Sequence, residues 1–201
     1  MALHTADWHR LVLHPRDPDS APPGEDLVRA LAQIGLAGEA FQFRHQTYYA
    51  TGQRFLDLVV FLGCSPSIAL APVLDQAGEP RMERFCHLRI PPVAGSPVLR
   101  VAERNPRPRC PGCGATLTPD AGDLVQWSAA PQRPLVVCAA CGQRHPPAAL
   151  AWRRGAGAAR CFVEVGGIFP QEALPSDGLL AALGDVSRGP WDYFYTGGPR
   201  L

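Results

Sequence analysis

The chain has 201 residues, enough for one large domain or for a domain carrying a small inserted module, with a core that needs no disulfide staples. Hydrophobic residues make up 46% and charged residues 18%, which excludes a disordered chain, and no apolar run approaches the roughly 20 residues of a membrane-spanning helix. A net charge of +1 also argues against a dedicated nucleic-acid binder, which is usually basic overall.

All 19 basic side chains are arginine, and glycine (20) and proline (22) are abundant. That is the signature of a bacterial-type, GC-rich coding sequence, so arginine content alone says nothing about partners. The start, Met-Ala-Leu-His-Thr-Ala-Asp, lacks a basic stretch followed by an apolar one, so no secretory signal is expected. Seven cysteines, an odd number, fit a reducing cytoplasm.

In chain order, residues 9–14 alternate polar and apolar as a half-buried strand does. Leu27, Leu31 and Ile34 recur at helical spacing, with Glu25 and Asp26 in the first turn, so a helix is expected over 24–36. Residues 41–50 read as a strand, Thr51-Gly52-Gln53 as a hairpin turn, and 55–62 as an apolar central strand. A further strand is expected over 84–90. The basic, proline-rich stretch 101–108 reads as a stiff entry linker, and 152–159 as an exit. Strand character returns over 161–168. Ser176 or Asp177 caps a helix over Leu179, Leu180 and Leu183, stopped by Gly184, and 191–195 is an aromatic strand or docked tail. The expected fold is α+β: a mixed sheet with about two helices. Residues 1–100 and 160–201 form its body, and 101–159 is an insertion.

Within that insertion lie Cys110-Pro-Gly-Cys113-Gly and Cys138-Ala-Ala-Cys141-Gly, with 24 residues between Cys113 and Cys138. A C-x-x-C turn lets both thiolates face one ion, and the following glycine permits the tight turn. Two such turns supply four sulfurs in tetrahedral array, which suits Zn2+, whereas magnesium and calcium prefer oxygen. A saturated four-thiolate site is structural rather than catalytic. The alternative for the two pairs is disulfides, disfavoured in a reducing compartment. Residues 124–128 and 135–137 look like the strands of a hairpin between the turns.

This segment, about 108–146, resembles a zinc ribbon. The resemblance implies a small β-hairpin module that binds nucleic acid, docks protein or staples a fold. Rubredoxins are similar but hold iron; here Ala139 stands after the third cysteine in place of the usual proline, and Ala115 follows the first knuckle's glycine in place of an aromatic residue.

Nine arginines against three acids give residues 100–160 a net charge of +6, and the remainder, with ten arginines and fifteen acids, carries −5. The module is therefore expected to face something acidic: a protein partner, a nucleic acid, or the acidic body of its own chain. Arg107, Arg109, Arg144, Arg153 and Arg154 are the expected contact face, with Trp127 and Trp152 available to stack on a partner. The leading functional expectation is a non-catalytic accessory or adaptor protein.

A catalytic rival rests on Cys64, in Phe61-Leu-Gly-Cys-Ser-Pro-Ser67. A helix N-terminus there would activate the thiol, with His45 or His87 as base. Read structurally, Cys64 is a small buried thiol, and Cys86 and Cys161 are core residues. His145, close after Cys141, is a fallback ligand, and His14, before Pro15, a surface residue. A lysine-dependent P-loop is excluded, and no G-x-S-x-G elbow occurs.

Overall fold

A computed structural model describes residues 9–63, 68–102, 106–169 and 171–197. The elements are β1 (Arg10–Pro15), α1 (Gly24–Gln33), β2 (Ala37–Phe43), β3 (Gln46–Thr51), α2 (Phe55–Leu58), β4 (Val59–Phe61), β5 (His87–Arg89) and β6 (Val98–Val101). There follow α3 (Ala121–Ala129), β7 (Val136–Val137), β8 (Arg144–His145), β9 (Ala156–Ala159), β10 (Val163–Gly166), β11 (Ala173–Pro175), α4 (Asp177–Ser187) and β12 (Trp191–Thr196). The fold class is α+β.

Six strands form the main sheet in the order β12-β1-β10-β5-β3-β2, so strands from both ends of the chain interleave. Each of its pairings is antiparallel, rather than mixed as expected. Period-two alternation turns Leu11, Leu13, Leu88, Val163 and Val165 to one face. There they meet Leu27 and Leu31 of α1 and Leu179 and Leu183 of α4 in the principal core. The α4 cap is as expected: Ser176 Oγ accepts from the Leu179 backbone N–H at 3.2 Å. The helix does not stop at Gly184 but runs one turn further, to Arg188, which takes the left-handed conformation at φ 57°.

The first hairpin turns at Arg44-His45, both at positive φ (48° and 62°), and not at Gly52. Two left-handed residues match the twist of a two-residue hairpin without glycine, so the usual Asn-Gly signal was missing. Gly52 serves a close approach instead: a Cβ there would lie 2.3 Å from the Gly35 carbonyl oxygen. The stretch 55–62, expected as one strand, begins as the single-turn α2 and only then becomes β4, which pairs with β11 outside the main sheet.

The outer ends of the expected linkers, Val101 and residues 156–159, are paired structure. β6 pairs antiparallel with β9, placing chain entry and exit of the cysteine segment side by side. Alternation gives this ribbon two faces. Leu99, Val101, Ala156 and Ala158 join a small second core with Trp127, Leu150, Leu117, Leu124, Val136 and Trp152. Val98, Ala102 and Ala159 pack the other way, against Val12, Phe162 and Phe194. Gly157 permits that contact, because a Cβ would lie 2.5 Å from His14 Nε2 and 2.7 Å from the Phe194 ring. His14, expected at the surface, is therefore half-buried beside Phe194 and Phe162, and burial lowers its pKa. Small residues make this ribbon an interface rather than a tether. Among the described residues, no helix is long and apolar enough to cross a membrane.

Candidate metal centre

The two cysteine turns are built alike. In the first, the Cys110 N–H donates to Ala115 O at 2.9 Å and the Gly114 N–H to Cys110 O at 2.9 Å. In the second, the Cys138 N–H donates to Gln143 O at 2.9 Å and the Gly142 N–H to Cys138 O at 2.8 Å. Each loop closes on a glycine in the left-handed region, Gly114 at φ 75° and Gly142 at φ 73°, where a side chain would be strained. The repeated geometry explains why the sequence repeats C-x-x-C-G.

The four sulfurs lie within 4.8 Å of one another. Cys110 and Cys141 stand 3.8 Å apart, and Cys113 and Cys138 3.6 Å. A tetrahedral ion with metal–sulfur bonds of about 2.3 Å has sulfur–sulfur edges of about 3.8 Å. A disulfide needs about 2 Å, and the six described cysteines are all free thiols. The cysteines can thus hold one metal ion. Cys110 and Cys138 are buried, while Cys113 and Cys141 are exposed at the rim.

Backbone dipoles favour ionised sulfur. The N–H groups of Cys141 and Ala140 hydrogen-bond Cys138 and bring its thiol down to about 7. Cys141 goes up to about 12 against the pull of the Gln143 N–H, driven by desolvation and by the sulfurs of Cys113, Cys138 and Cys110. Four such neighbours resist joint ionisation unless a cation lies between them. His145 is not one of the clustered ligands; it sits in β8 opposite Val136.

The intervening segment differs from expectation. Residues 124–128 are helical, not a strand. The Asp120 side chain accepts from the Asp123 backbone N–H at 2.8 Å, and the Asp123 side chain accepts from the Asp120 N–H at 3.1 Å, closing a capping box. That Asp-x-x-Asp spacing was the available sequence signal. Only 135–137 supplies a strand: β7 pairs with β8 across the second cysteine turn.

The expected contact residues separate. Arg107, Arg144 and Arg153 are exposed, and Arg109 is half-buried where its backbone bridges Ala151. The Arg154 guanidinium lies 4.3 Å over the Tyr193 ring of β12, on the body. Trp127 corrects the expectation: it is 3% exposed, edge-on to Trp152 at 6.4 Å, and belongs to the module core. Trp152 is half-buried and donates Nε1–H to Pro147 O at 2.8 Å. Neither indole is laid out as a stacking platform, because a module this small needs its largest side chains inside.

Of the catalytic rival's residues, Cys64 lies outside the described residues. His45 occupies the β2–β3 turn. His87 is buried, with Nδ1 3.1 Å from Phe85 O, and burial lowers it to about 4. Cys86 and Cys161 are core thiols, which burial raises to about 12 and about 11. Comparison of the chain with protein-family models, curated proteins and solved structures returned no match.

Proposed function

We propose that this chain is a non-catalytic zinc-binding adaptor in which residues 101–159 form an inserted module that docks an acidic protein partner. Four thiolates with no oxygen donor favour zinc, and the departures from the rubredoxin pattern at Ala115 and Ala139 weigh against iron. The side-by-side entry and exit of β6 and β9 support the insertion.

The observation that carries the docking reading is an exposed surface of mixed chemistry on the module. Leu135, just before β7, and Val137, within it, are 53% and 54% exposed. Arg144 pairs directly across from Val137. Gln126, Ala130, Arg133, Pro134 and Leu135 line a shallow groove alongside. Apolar residues left in water beside cations suit a partner that presents apolar anchors among carboxylates. The inward-turned Trp127 removes the main support for nucleic-acid stacking.

The test is capture from native lysate by the metal-loaded chain, with metal, protein and nucleic acid quantified on one sample. The expected result is a stoichiometric protein insensitive to nuclease, lost on combined Arg107→Gln, Arg144→Gln and Arg153→Gln with the melting temperature unchanged. Nucleic acid that co-elutes and leaves steeply as salt rises would overturn the protein-docking reading.

A further inference from the structure

The four sulfurs of the cage differ in access, and the difference is arranged in pairs. Cys110 and Cys138 are buried, whereas Cys113 and Cys141 are exposed. Two close sulfur contacts join one turn to the other, Cys110 to Cys141 at 3.8 Å and Cys113 to Cys138 at 3.6 Å. Each contact therefore couples one exposed cysteine to one buried cysteine of the opposite turn. Forming a bond of about 2 Å across either contact moves each sulfur by less than about 1 Å. The turns are closed by their own backbone, through Cys110 N–H to Ala115 O and Cys138 N–H to Gln143 O, so their shape does not depend on the sulfurs alone.

A two-cysteine oxidation needs this arrangement. One thiolate must be open to the oxidant, and a second sulfur must lie within reach to capture the product before it is oxidised further. Cys86 and Cys161 do not meet the first condition, because both are buried in the principal core. The module also has packing that is separate from the cage. Leu99, Trp127, Leu150, Ala156 and Ala158 form its core without a cysteine among them, and the pairing of β6 with β9 closes its base.

We propose that Cys113 and Cys141 are oxidation sites for a small peroxide, and that the cage is a redox switch which exchanges its metal ion for two disulfides, Cys110–Cys141 and Cys113–Cys138. In each pair the exposed thiolate attacks one peroxide oxygen. The O–O bond breaks, hydroxide leaves, and the sulfur becomes a sulfenic acid. The buried partner's thiolate then attacks that sulfur, the S–O bond breaks, and a second hydroxide leaves as the disulfide forms. Each pair loses two electrons, and each peroxide, with two protons from solvent, ends as two waters. With every sulfur in a disulfide, no thiolate remains to hold the ion. Both bridges run from one turn to the other, so they hold the turns together in its place. The inference rests on the metal reading of the four cysteines and is independent of the docking reading.

The probe is hydrogen peroxide, added to the zinc-loaded full chain. Zinc release is followed with a chromogenic chelator, and the products by tandem mass spectrometry after alkylation of the remaining thiols. At completion, about two equivalents of peroxide should release the ion. The mapped bridges should be Cys110–Cys141 and Cys113–Cys138, with Cys86 and Cys161 still thiols. A dithiol reductant with added zinc should restore the loaded form. The oxidised chain should melt several degrees above the reduced, metal-free chain, because each bridge closes a loop of about 30 residues. Any other pairing, a bridge to Cys64, or sulfinic acid at Cys113 or Cys141 in place of the bridges would overturn the proposal. So would zinc still held after an equal concentration of free cysteine has been consumed. A chain that takes up no zinc fails the metal reading and the switch together, whereas one that takes up zinc and keeps it under peroxide fails the switch alone.

Discussion

Trp127→Ala removes the largest side chain of the module's core and separates a packing role from a contact role. The indole is 3% exposed and lies among Leu99, Leu150, Ala156, Ala158 and Trp152. A buried tryptophan removes about 150–250 Å² from water, worth about 4–6 kcal/mol at roughly 25 cal/mol per Å². Truncation keeps the Cβ and lets the site partly collapse, so a loss of about 4 kcal/mol is expected. If the chain unfolds as one unit, each kcal/mol moves the midpoint by about 2–4 °C, giving a fall of about 8–16 °C. If the module melts separately, the loss falls on its transition alone. The assay is calorimetry of the metal-loaded protein beside Val125→Ala, whose parent side chain is 74% exposed and whose cost should stay within about 0.5 kcal/mol. A Trp127→Ala variant that melts within about 2 °C of wild type yet no longer captures partner would refute the packing assignment.

Two further outcomes follow from buried titratable groups. His87 has its pKa lowered to about 4 by burial, against about 6.5 when unfolded. The unfolded state therefore binds the extra proton first. The stability this residue contributes is complete above about pH 6.5 and is lost as pH falls toward 4, a loss on the order of 3 kcal/mol. Urea midpoints measured across that window should fall with acidification, and His87→Phe should flatten the slope; an unchanged slope would refute the assignment. Thiol alkylation of the metal-loaded chain at neutral pH should leave Cys86 and Cys161 unmodified, because burial holds them near 12 and 11. A Cys64 that reacts much faster than free cysteine in the same experiment would instead support a thiol enzyme.

The cysteine cluster was legible because each of its turns is local. Two C-x-x-C-G turns each close within six residues through their own backbone bonds, so spacing alone reports the geometry. The Ser176 cap and the alternation of β1 were legible for the same reason. Local pattern misled where two structures satisfy it equally. Residues 124–128 fit a short apolar strand as well as a helix face, and only the Asp120–Asp123 capping box decides. The hairpin at Arg44-His45 carries no glycine to announce it.

By itself, then, the sequence determined four cysteines spaced to hold one metal ion and a body of alternating strands and helices. The tertiary structure decided which way the side chains point. It turned Trp127 inward, drew the outer ends of the expected linkers into the β6–β9 interface, and gathered Arg10, Arg89 and Arg100 around Glu164. Arg10 and Glu164 are 154 positions apart in the chain. Only the pairing of β1 with β10 makes them neighbours, and strand register is set by burial of the whole sheet rather than by any local signal.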